Sequence, residues 1–575
     1  MGYRLMKTFF NALALNFIFI LSIQASLLED LPEIQFESFK LDNGLTVIVH
    51  EDKKVPMVAV NVWYHVGSKN EKVGKTGFAH LFEHLMFNGT ENYNNEYFEP
   101  FEKIGSTDQN GTTNSDRTNY FQNVPTNALD LALWMESDRM GHLLGVVDQE
   151  KLDEQRGVVQ NEKRQGENQP YGKAFTVISE SAFPKGHPYS WTTIGSMEDL
   201  DAASLEDVQD WFKTYYGPNN AVLALAGDID VETAKAKVTK FFGDIPAGPP
   251  LTKPERWIAK RMEEKREIMF DDVPQARIYK IWNVPERDTE AAAHFDLASS
   301  ILVGGKNSPL YKELVYEKQI ATNVSSFYYD REIAGMFFIT ADVVAGVDPA
   351  IVEQSMDEVM EAFIKKGPST KLLKAEKTKA VAGFIRGIQR IGGFGGKSDL
   401  LATCQTYTGN PGCYQESAKY LDAATSSKIK ATFAEWIDDT PYVLTILPSD
   451  QYGLSDESVD RSTGVPYPTE KVSFKFPTLQ TATLSNGAKV VLAQRSDVPL
   501  VEMNFQFNFG YAQENNDELG FTNFMMDMLN EGTRKYSSLE FDQILDSLGS
   551  NIGFGSGLDS SFVSISSLKD NLDET

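Results

Sequence analysis

Alternating apolar and polar positions, interrupted by glycine-containing turns, form the dominant pattern near the start of the chain. The turn Asn43-Gly44 separates two such segments, and the second of them spans 57–66 (MVAVNVWYHV). An Asn-Gly pair between alternating segments is typical of a β-hairpin. A glycine-rich loop then leads into a helical stretch from about Thr76 whose apolar residues cover nearly every face. This pattern predicts a buried helix.

The same periodicities continue through the first 250 residues. Helices are predicted over 150–166 and 204–215, and an apolar run predicts a buried strand over 220–227. Antiparallel strands that alternate with helices indicate the α+β class, in which antiparallel sheets are packed with helices.

The hairpin pattern occurs a second time, 443 positions farther along the chain. Residues 41–49 (LDNGLTVIV) align without a gap with 484–492 (LSNGAKVVL), and the register continues as far as Tyr93 and Tyr536. Identical pairs at this spacing are Val55-Pro56 with Val498-Pro499, Gly67 with Gly510, Gly77-Phe78 with Gly520-Phe521, and Gly89-Thr90 with Gly532-Thr533. A constant spacing over this length indicates a duplicated domain.

Breaks between these patterns predict the domain organisation. The ranges that we expect are a signal peptide at 1–25, a catalytic domain at 26–248, a second α+β domain at 249–448, a linker at 449–476, and a degenerate repeat of the catalytic domain at 477–575. The break between the catalytic domain and the second α+β domain, at 246–254, is rich in proline and glycine, which favours a connection between domains. At the 443-residue spacing, Thr575 corresponds to residue 132, which lies well before the end of the predicted catalytic domain at 248. We therefore expect the repeat to be truncated.

The N-terminal segment has the pattern of a secretory signal peptide. Arg4 and Lys7 precede an apolar run at 9–23, and Ala25-Ser26 offers a small-residue cleavage site. The run is short for a membrane-spanning helix, and a non-cleaved anchor is the alternative. We therefore expect a periplasmic or secreted protein without stable membrane insertion after cleavage.

Composition narrows the classes of function. The 575 residues include 54 Lys and Arg against 81 Asp and Glu, a formal net charge of −27. This balance argues against a nucleic-acid partner, because phosphate binding needs a basic surface. The two cysteines, Cys404 and Cys413, flank a turn-rich segment. In an exported protein they form either one small disulfide or two free thiols.

The predicted buried helix carries the candidate chemistry. Its sequence, 77–87 (GFAHLFEHLMF), contains H-x-x-E-H, which places His80 and His84 one turn apart on one face with Glu83 beside them. Two imidazoles at this spacing can bind one divalent cation, and the adjacent carboxylate can deprotonate a water molecule. Three polar groups on an apolar helix need partners, which a metal ion with its water supplies.

The repeat provides an internal comparison for this motif. At the same spacing, the two histidines and the glutamate are replaced by Asn523, Asp527 and Met526, whereas the flanking glycines persist. We therefore expect one Zn²⁺ per chain.

A catalytic zinc needs a third protein ligand. The helix predicted over 150–166 offers Glu150, Glu154 and Glu162, and spacing alone does not choose among them.

The H-x-x-E-H helix, followed by R-x-V-V-x-x-E at 156–162, resembles the pitrilysin/insulinase family of zinc metallopeptidases, the M16-type inverzincins, in their bacterial periplasmic form. The resemblance implies that Glu83 is the catalytic base and that Glu162 is the third metal ligand. One departure concerns an acid that many members carry seven residues before that ligand. This chain has Gln155 there, with Glu154 beside it.

The segment 110–120 (NGTTNSDRTNY) is similar to the family strand whose edge holds the substrate backbone. This similarity implies substrate contacts for Asn110, Gly111 and Thr112.

The resemblance implies a zinc-dependent endopeptidase that hydrolyses unfolded peptides or small polypeptides, bound as extended strands within a clamshell of two halves. One alternative is a non-catalytic structural or peptide-binding subunit of the same family. Another is an inactive fragment that needs a partner half. Pairing into a homodimer or a heterodimer is left open.

Overall fold

The structure is a computed structural model that describes residues 31–437, 440–449, 478–494 and 498–575. The predicted signal peptide at 1–25 and nearly all of the predicted linker at 449–476 lie outside the described residues. Within the described ranges, no helix combines the length and the apolar character needed to cross a bilayer.

The first part of the chain forms a six-stranded sheet. Its strands are β1 (Glu37–Lys40), β2 (Thr46–Glu51), β3 (Met57–Tyr64), β4 (Thr107–Thr113), β5 (Thr118–Pro125) and β6 (Ala221–Gly227). Their order is β1-β2-β6-β3-β5-β4, and neighbours are antiparallel except for β2 and β6. The inner strands β3 and β6 are apolar because both faces of the sheet are covered, whereas β4 is an edge strand.

Eight helices lie between residues 78 and 242 within the described residues. They are α1 (Phe78–Leu85), α2 (Glu99–Lys103), α3 (Leu129–Gly141), α4 (Gln149–Glu167), α5 (Ala174–Ala182), α6 (Met197–Asp201), α7 (Leu205–Tyr215) and α8 (Val231–Phe242). Helices α1, α3, α4, α7 and α8 contribute to a core on one face of the sheet, which includes Val60, Phe82 and Leu225. The side chain of Ser204 accepts a hydrogen bond from the third residue of α7, which fixes the start of that helix.

A second, five-stranded sheet follows. Its strands are β7 (Lys265–Asp271), β8 (Arg277–Val284), β9 (Ala321–Tyr329), β10 (Gly335–Val343) and β11 (Tyr442–Pro448). The order is β7-β11-β8-β10-β9, and only β7 and β11 are parallel. The helices of this part are α9 (Glu290–Val303), α10 (Pro349–Lys366), α11 (Thr370–Gly387), α12 (Lys397–Thr408), α13 (Tyr414–Ala423) and α14 (Ser426–Trp436), with a π-helical segment at Tyr311–Glu317.

Helix α12 packs on the six-stranded sheet rather than on the second sheet. Leu401 shares a buried cluster with Ile48 of β2 and Trp63 of β3. Near the end of α12, Cys404 forms a disulfide with Cys413, so the loop-closing alternative is confirmed. The six-stranded sheet is therefore covered on both faces, by its own helices on one side and by α12 on the other.

The last part of the chain repeats the edge of the first sheet. It contains the hairpin β12 (Gln480–Thr483) and β13 (Lys489–Leu492), the strands β14 (Leu500–Phe507), β15 (Asn551–Ser556) and β16 (Ser561–Leu568), and the helices α15 (Phe521–Met528) and α16 (Ser538–Leu548). The order β14-β16-β15 corresponds, at the 443-residue spacing, to β3-β5-β4.

A helix cap recurs in the two copies. The carboxylate of Glu71 accepts hydrogen bonds from the N–H groups of Gly77 and Ala79 at the start of α1. The carboxylate of Glu514 does the same at the start of α15. The copies thus share the scaffold that begins the helix.

The predicted α+β class is confirmed, since antiparallel-rich sheets are packed with helices. The strand predicted to end at Val66 ends at Tyr64, and the helix predicted from Thr76 begins at Phe78. It begins late because Gly77 has a left-handed φ of 84°. The two parallel pairs were not predicted, because they join segments far apart in sequence.

Candidate active site

Helices α1 and α4 bring the candidate residues together by packing against each other. On α1, Phe78, Leu81, Phe82 and Leu85 are buried in the core. The two histidines on the remaining face are only partly buried. The 3.6-residue period therefore anchors one side of α1 and leaves the other open toward α4.

Two histidines and one glutamate converge on a common point. The Nε2 atoms of His80 and His84 lie 3.7 and 3.5 Å from the same carboxylate oxygen of Glu162. One possible ligand atom from each of the three residues lies within 4.8 Å of the others. In the part of the chain that the structure describes, no further group of three acidic, histidine or cysteine side chains meets that condition. Of the three glutamates considered on α4, only Glu162 belongs to the group.

The protonation state of His80 is the one that a metal ligand requires. Burial, reinforced by the neighbouring His84, lowers the pKa of His80 to about 4. The imidazole is therefore neutral at neutral pH, and a nitrogen lone pair is free to bind a cation. Its Nδ1 atom is buried without a hydrogen-bond partner among the described residues. The Nε2 atom, which faces Glu162, is the one that would bind the cation.

Glu83 lies beside this group in a nearly closed environment. The residue is 7% exposed, and its Oε2 atom accepts a hydrogen bond of 2.5 Å from Thr113 Oγ1. Burial raises the pKa of Glu83 to about 7, although the hydrogen bond from Thr113 and the positive charge of Arg117 act in the opposite direction. A carboxyl group with a pKa near neutrality can both accept and return a proton.

The edge strand β4 lies beside the helix that carries His80, Glu83 and His84. Asn110 is exposed, Gly111 is buried and Thr112 is partly buried. A Cβ atom on Gly111 would lie 2.6 Å from the ring of Phe87, so the approach of the strand to this ring requires glycine. The strand therefore presents its backbone edge beside the helix that carries the histidines.

An open cleft of about 600 Å³ connects these groups. Its walls come from α1, α4, the segment 87–98 and β4. The residues that line it are His80, Glu83, His84, Phe87, Asn88, Asn95, Glu96, Phe98, Asn110, Glu154, Gln155 and Glu162. Gly111 and Thr112 do not line it, although their strand borders it. Glu154 and Gln155 both face the cleft, and Gln155 is the more buried of the two.

Thr113 and Arg117 have no role that the sequence pattern predicts, although both stand in the segment 110–120. Thr113 donates a hydrogen bond to Glu83, and Arg117 donates to Thr112. The alternation of side chains along β4 could have placed Thr113 on the face opposite Thr112. No signal in the sequence identifies which face looks toward α1.

The fold is that of M16-type peptidases. Residues 46–192 and 489–575 match the family model described as insulinase (peptidase family M16), and residues 202–380 match the one described as the peptidase M16 inactive domain. The chain therefore belongs to peptidase family M16, and the predicted family is confirmed.

Individual relatives agree with this assignment. The chain is 26% identical over 436 residues to zinc protease PqqE of Helicobacter pylori, covering 74% of this chain and 96% of that protein. The crystal structure of a protease from Helicobacter pylori matches with a TM-score of 0.66 at 25% identity, over 73% of this chain and 100% of that one. The periplasmic protease PqqL of Escherichia coli shares the fold, with a TM-score of 0.60 at 16% identity, over 95% of this chain and 65% of that one.

Proposed function

We propose that this protein is a zinc-dependent endopeptidase that hydrolyses unfolded peptides or small polypeptides bound as extended strands. The observation that carries the proposal is the convergence of His80, His84 and Glu162 beside the buried Glu83, in an open cleft bordered by an edge strand. Relatives named zinc proteases support the same activity.

The donor set fits a catalytic zinc ion. Two imidazole nitrogens and one carboxylate oxygen are ligands that zinc commonly takes, and three protein ligands leave one position open. One zinc per chain is proposed, because the repeat has Asn523, Met526 and Asp527 where the motif has its histidines and glutamate. When bound, zinc supplies Lewis-acid chemistry that polarises a peptide carbonyl and makes water more acidic.

Glu83 is the proposed general base and acid. Its carboxylate accepts a proton from the attacking water and returns it to the leaving amine. The hydrogen bond from Thr113 fixes the direction of this carboxylate. Because Glu83 is buried, bulk water competes little for that hydrogen bond.

The free edge of β4 is the proposed binding surface for the peptide backbone. An extended peptide that pairs with Asn110, Gly111 and Thr112 would add a strand to the six-stranded sheet. Main-chain hydrogen bonds then supply much of the affinity, so recognition depends on an extended conformation more than on a particular side chain.

Location and assembly are also proposals. The signal-peptide pattern and the likeness to a periplasmic protease support a periplasmic or secreted protein. Assembly into a homodimer or a heterodimer, which would supply a second half to the binding chamber, is proposed as the alternative to action by one chain.

Metal content and peptide cleavage test the function together. The full chain should bind about one equivalent of zinc and cleave an internally quenched unfolded peptide. In Glu83→Gln, zinc should remain and the rate should fall by about 10² to 10⁴, the usual contribution of a general base. In His80→Ala, both zinc and activity should be lost.

His142→Ala is the matched control, because His142 is half-exposed outside the cleft. It should keep both zinc and activity. Unchanged zinc in His80→Ala would refute the proposed site. Stoichiometric zinc and peptide binding without hydrolysis would instead support the non-catalytic binding subunit.

A further inference from the structure

A row of hydrogen-bonded polar side chains crosses the six-stranded sheet on the face that α12 covers. We call it the polar row, and its members are Asp399, Asn61, Asn119, Thr112 and Arg117. Asn61 Nδ2 donates to Asp399 Oδ1 over 3.5 Å, and Asn119 Nδ2 donates to Asn61 Oδ1 over 3.2 Å. Thr112 Oγ1 donates to Asn119 Oδ1 over 2.5 Å. The row thus leads from α12 across β3 and β5 to the edge strand β4.

The inner members of the polar row are fully buried. Asn61 and Asn119 each have 0% exposure. Burial of an amide without a hydrogen bond is unfavourable, so each amide depends on its neighbours in the row. A buried polar chain of this kind adds little net stability compared with apolar packing. It does define one arrangement of the strands that it joins.

Arg117 ends the polar row and holds the edge strand directly. Its guanidinium donates to the backbone carbonyl of Thr112 over 2.9 Å and to the hydroxyl of the same residue over 2.5 Å. The guanidinium carbon lies 4.9 Å from the ring centroid of Trp63, which supports it from the sheet. The guanidinium group of Arg117 therefore holds both the main chain and the side chain of Thr112.

We propose that Arg117 is a positioning residue for peptide binding, because it holds β4 at Thr112 in the conformation to which an extended peptide pairs. The inference rests on the proposed peptide binding at this edge. An edge strand that is free to twist or shift its register pairs poorly with an incoming strand. The role of Arg117 is to remove that freedom before the peptide arrives.

Comparison with the repeat indicates that the polar row is not needed to build the hairpin. At the 443-residue spacing, Arg117, Asn119 and Thr112 correspond to Ser560, Phe562 and Gly555, and only Asn61 is kept, as Asn504. A scaffold contact of the same hairpin recurs, since Thr118 donates to the carbonyl of Val66, and Ser561 to that of Phe509. The polar row is therefore missing from the copy that also lacks the histidine motif, while the hairpin itself persists.

Peptide affinity in an inactive background tests the proposal. In the zinc-loaded Glu83→Gln chain, the Kd of a short, unfolded, fluorescein-labelled peptide is measured by anisotropy. Arg117→Met should raise the Kd about tenfold, and Arg117→Lys, which keeps a donor, about threefold. Thr112→Val should weaken binding too, and the double variant should lose less than the sum. In the active chain, Arg117→Lys, which keeps the positive charge that acts on Glu83, should raise KM and change kcat little.

The matched control is Arg266→Met, which removes a hydrogen-bonded arginine on β7 of the five-stranded sheet. Its Kd should equal that of the parent chain. An unchanged Kd in folded Arg117→Met, or a loss of zinc along with the peptide, would overturn the proposal. If Arg117→Met does not fold, Thr112→Val decides in the same way. Peptide binding without cleavage in the parent chain would contradict the proposed enzyme and leave this test intact.

Discussion

Two opposing influences act on the pKa of Glu83: burial of the carboxyl group and its interactions with two named neighbours. Burial favours its protonated form, while the hydroxyl of Thr113 and the charge of Arg117 favour the carboxylate. The result is a carboxyl group whose pKa lies near neutrality and whose direction is set by one hydrogen bond. The sequence shows that Glu83 stands between two histidines. The contact that orients it comes from a residue 30 positions away.

The hydrogen bond from Thr113 to Glu83 predicts a kinetic effect. Thr113→Val keeps the shape of the side chain and removes the donor, so the carboxylate becomes free to rotate. We expect kcat to fall about tenfold, with zinc content unchanged and KM within about twofold, because the lost interaction orients the base rather than the peptide. Steady-state kinetics and metal analysis measure these quantities.

Thr126→Val is a matched control for this change. Thr126 also donates to a carboxylate, that of Asp228, and neither residue lines the cleft. Its kinetic constants should match those of the parent chain. Equal rates for Thr113→Val and the parent would show that Glu83 does not need this hydrogen bond.

At the scale of elements, the local pattern predicted β3, α4, α7 and β6 to within about two residues at each end, and the start of α1 to within two residues. The pairing of β2 with β6 could not be predicted, because their residues are separated by most of the first 230 positions. The sequence alone also could not show which of Glu154 and Glu162 lies beside the histidines. They stand eight residues apart on one helix, and only the packing of α4 on α1 shows which one is level with the histidines.

The disulfide between α12 and α13 predicts a redox-dependent stability. Cys404 and Cys413 close a short loop, and cross-linking a loop of this length restricts the unfolded chain by about 2–3 kcal/mol. Reduction should therefore lower the melting temperature of the full chain. The change should be visible by differential scanning fluorimetry with and without a non-thiol reductant.

The double variant Cys404→Ala, Cys413→Ala is the control for this effect. It should melt like the reduced parent and should not respond to reductant. A melting temperature that reductant leaves unchanged in the parent would mean that the bond does not form in the protein.

At the scale of the whole molecule, a buried ionic cluster joins the two large sheets. Lys69 Nζ lies 2.7 Å from Glu332 Oε2 and 3.3 Å from Asp116 Oδ1. His65 Nε2 lies 2.7 Å from the same oxygen of Glu332, and the N–H of Glu332 donates to Asp116. Glu332 follows β9 of the five-stranded sheet, whereas Lys69 and Asp116 belong to the first part of the chain. Asp116 also stands next to Arg117, so this cluster and the polar row meet at one turn.

The cluster predicts an acid-dependent contribution to stability. Burial alone would raise the pKa of Glu332, but the hydrogen bond from His65 and the charge of Lys69 outweigh it and lower the pKa to about 2. Because the pKa of the folded state lies below the unfolded value of about 4.5, the contribution is complete above that value and disappears as the pH falls toward 2. Glu332→Gln should therefore cost about 2–3 kcal/mol at pH 7 and progressively less in acid.

Denaturant titrations at pH 7, 5 and 3 measure this difference between Glu332→Gln and the parent. Glu361→Gln is the control, since Glu361 forms an exposed pair with Lys365 and should change nothing measurable. A gap that stays constant from pH 7 to pH 3 would contradict an ionic role for Glu332. A gap that closes in acid would show that charge at this junction stabilises the two sheets together, and so supports the turn that holds the edge strand.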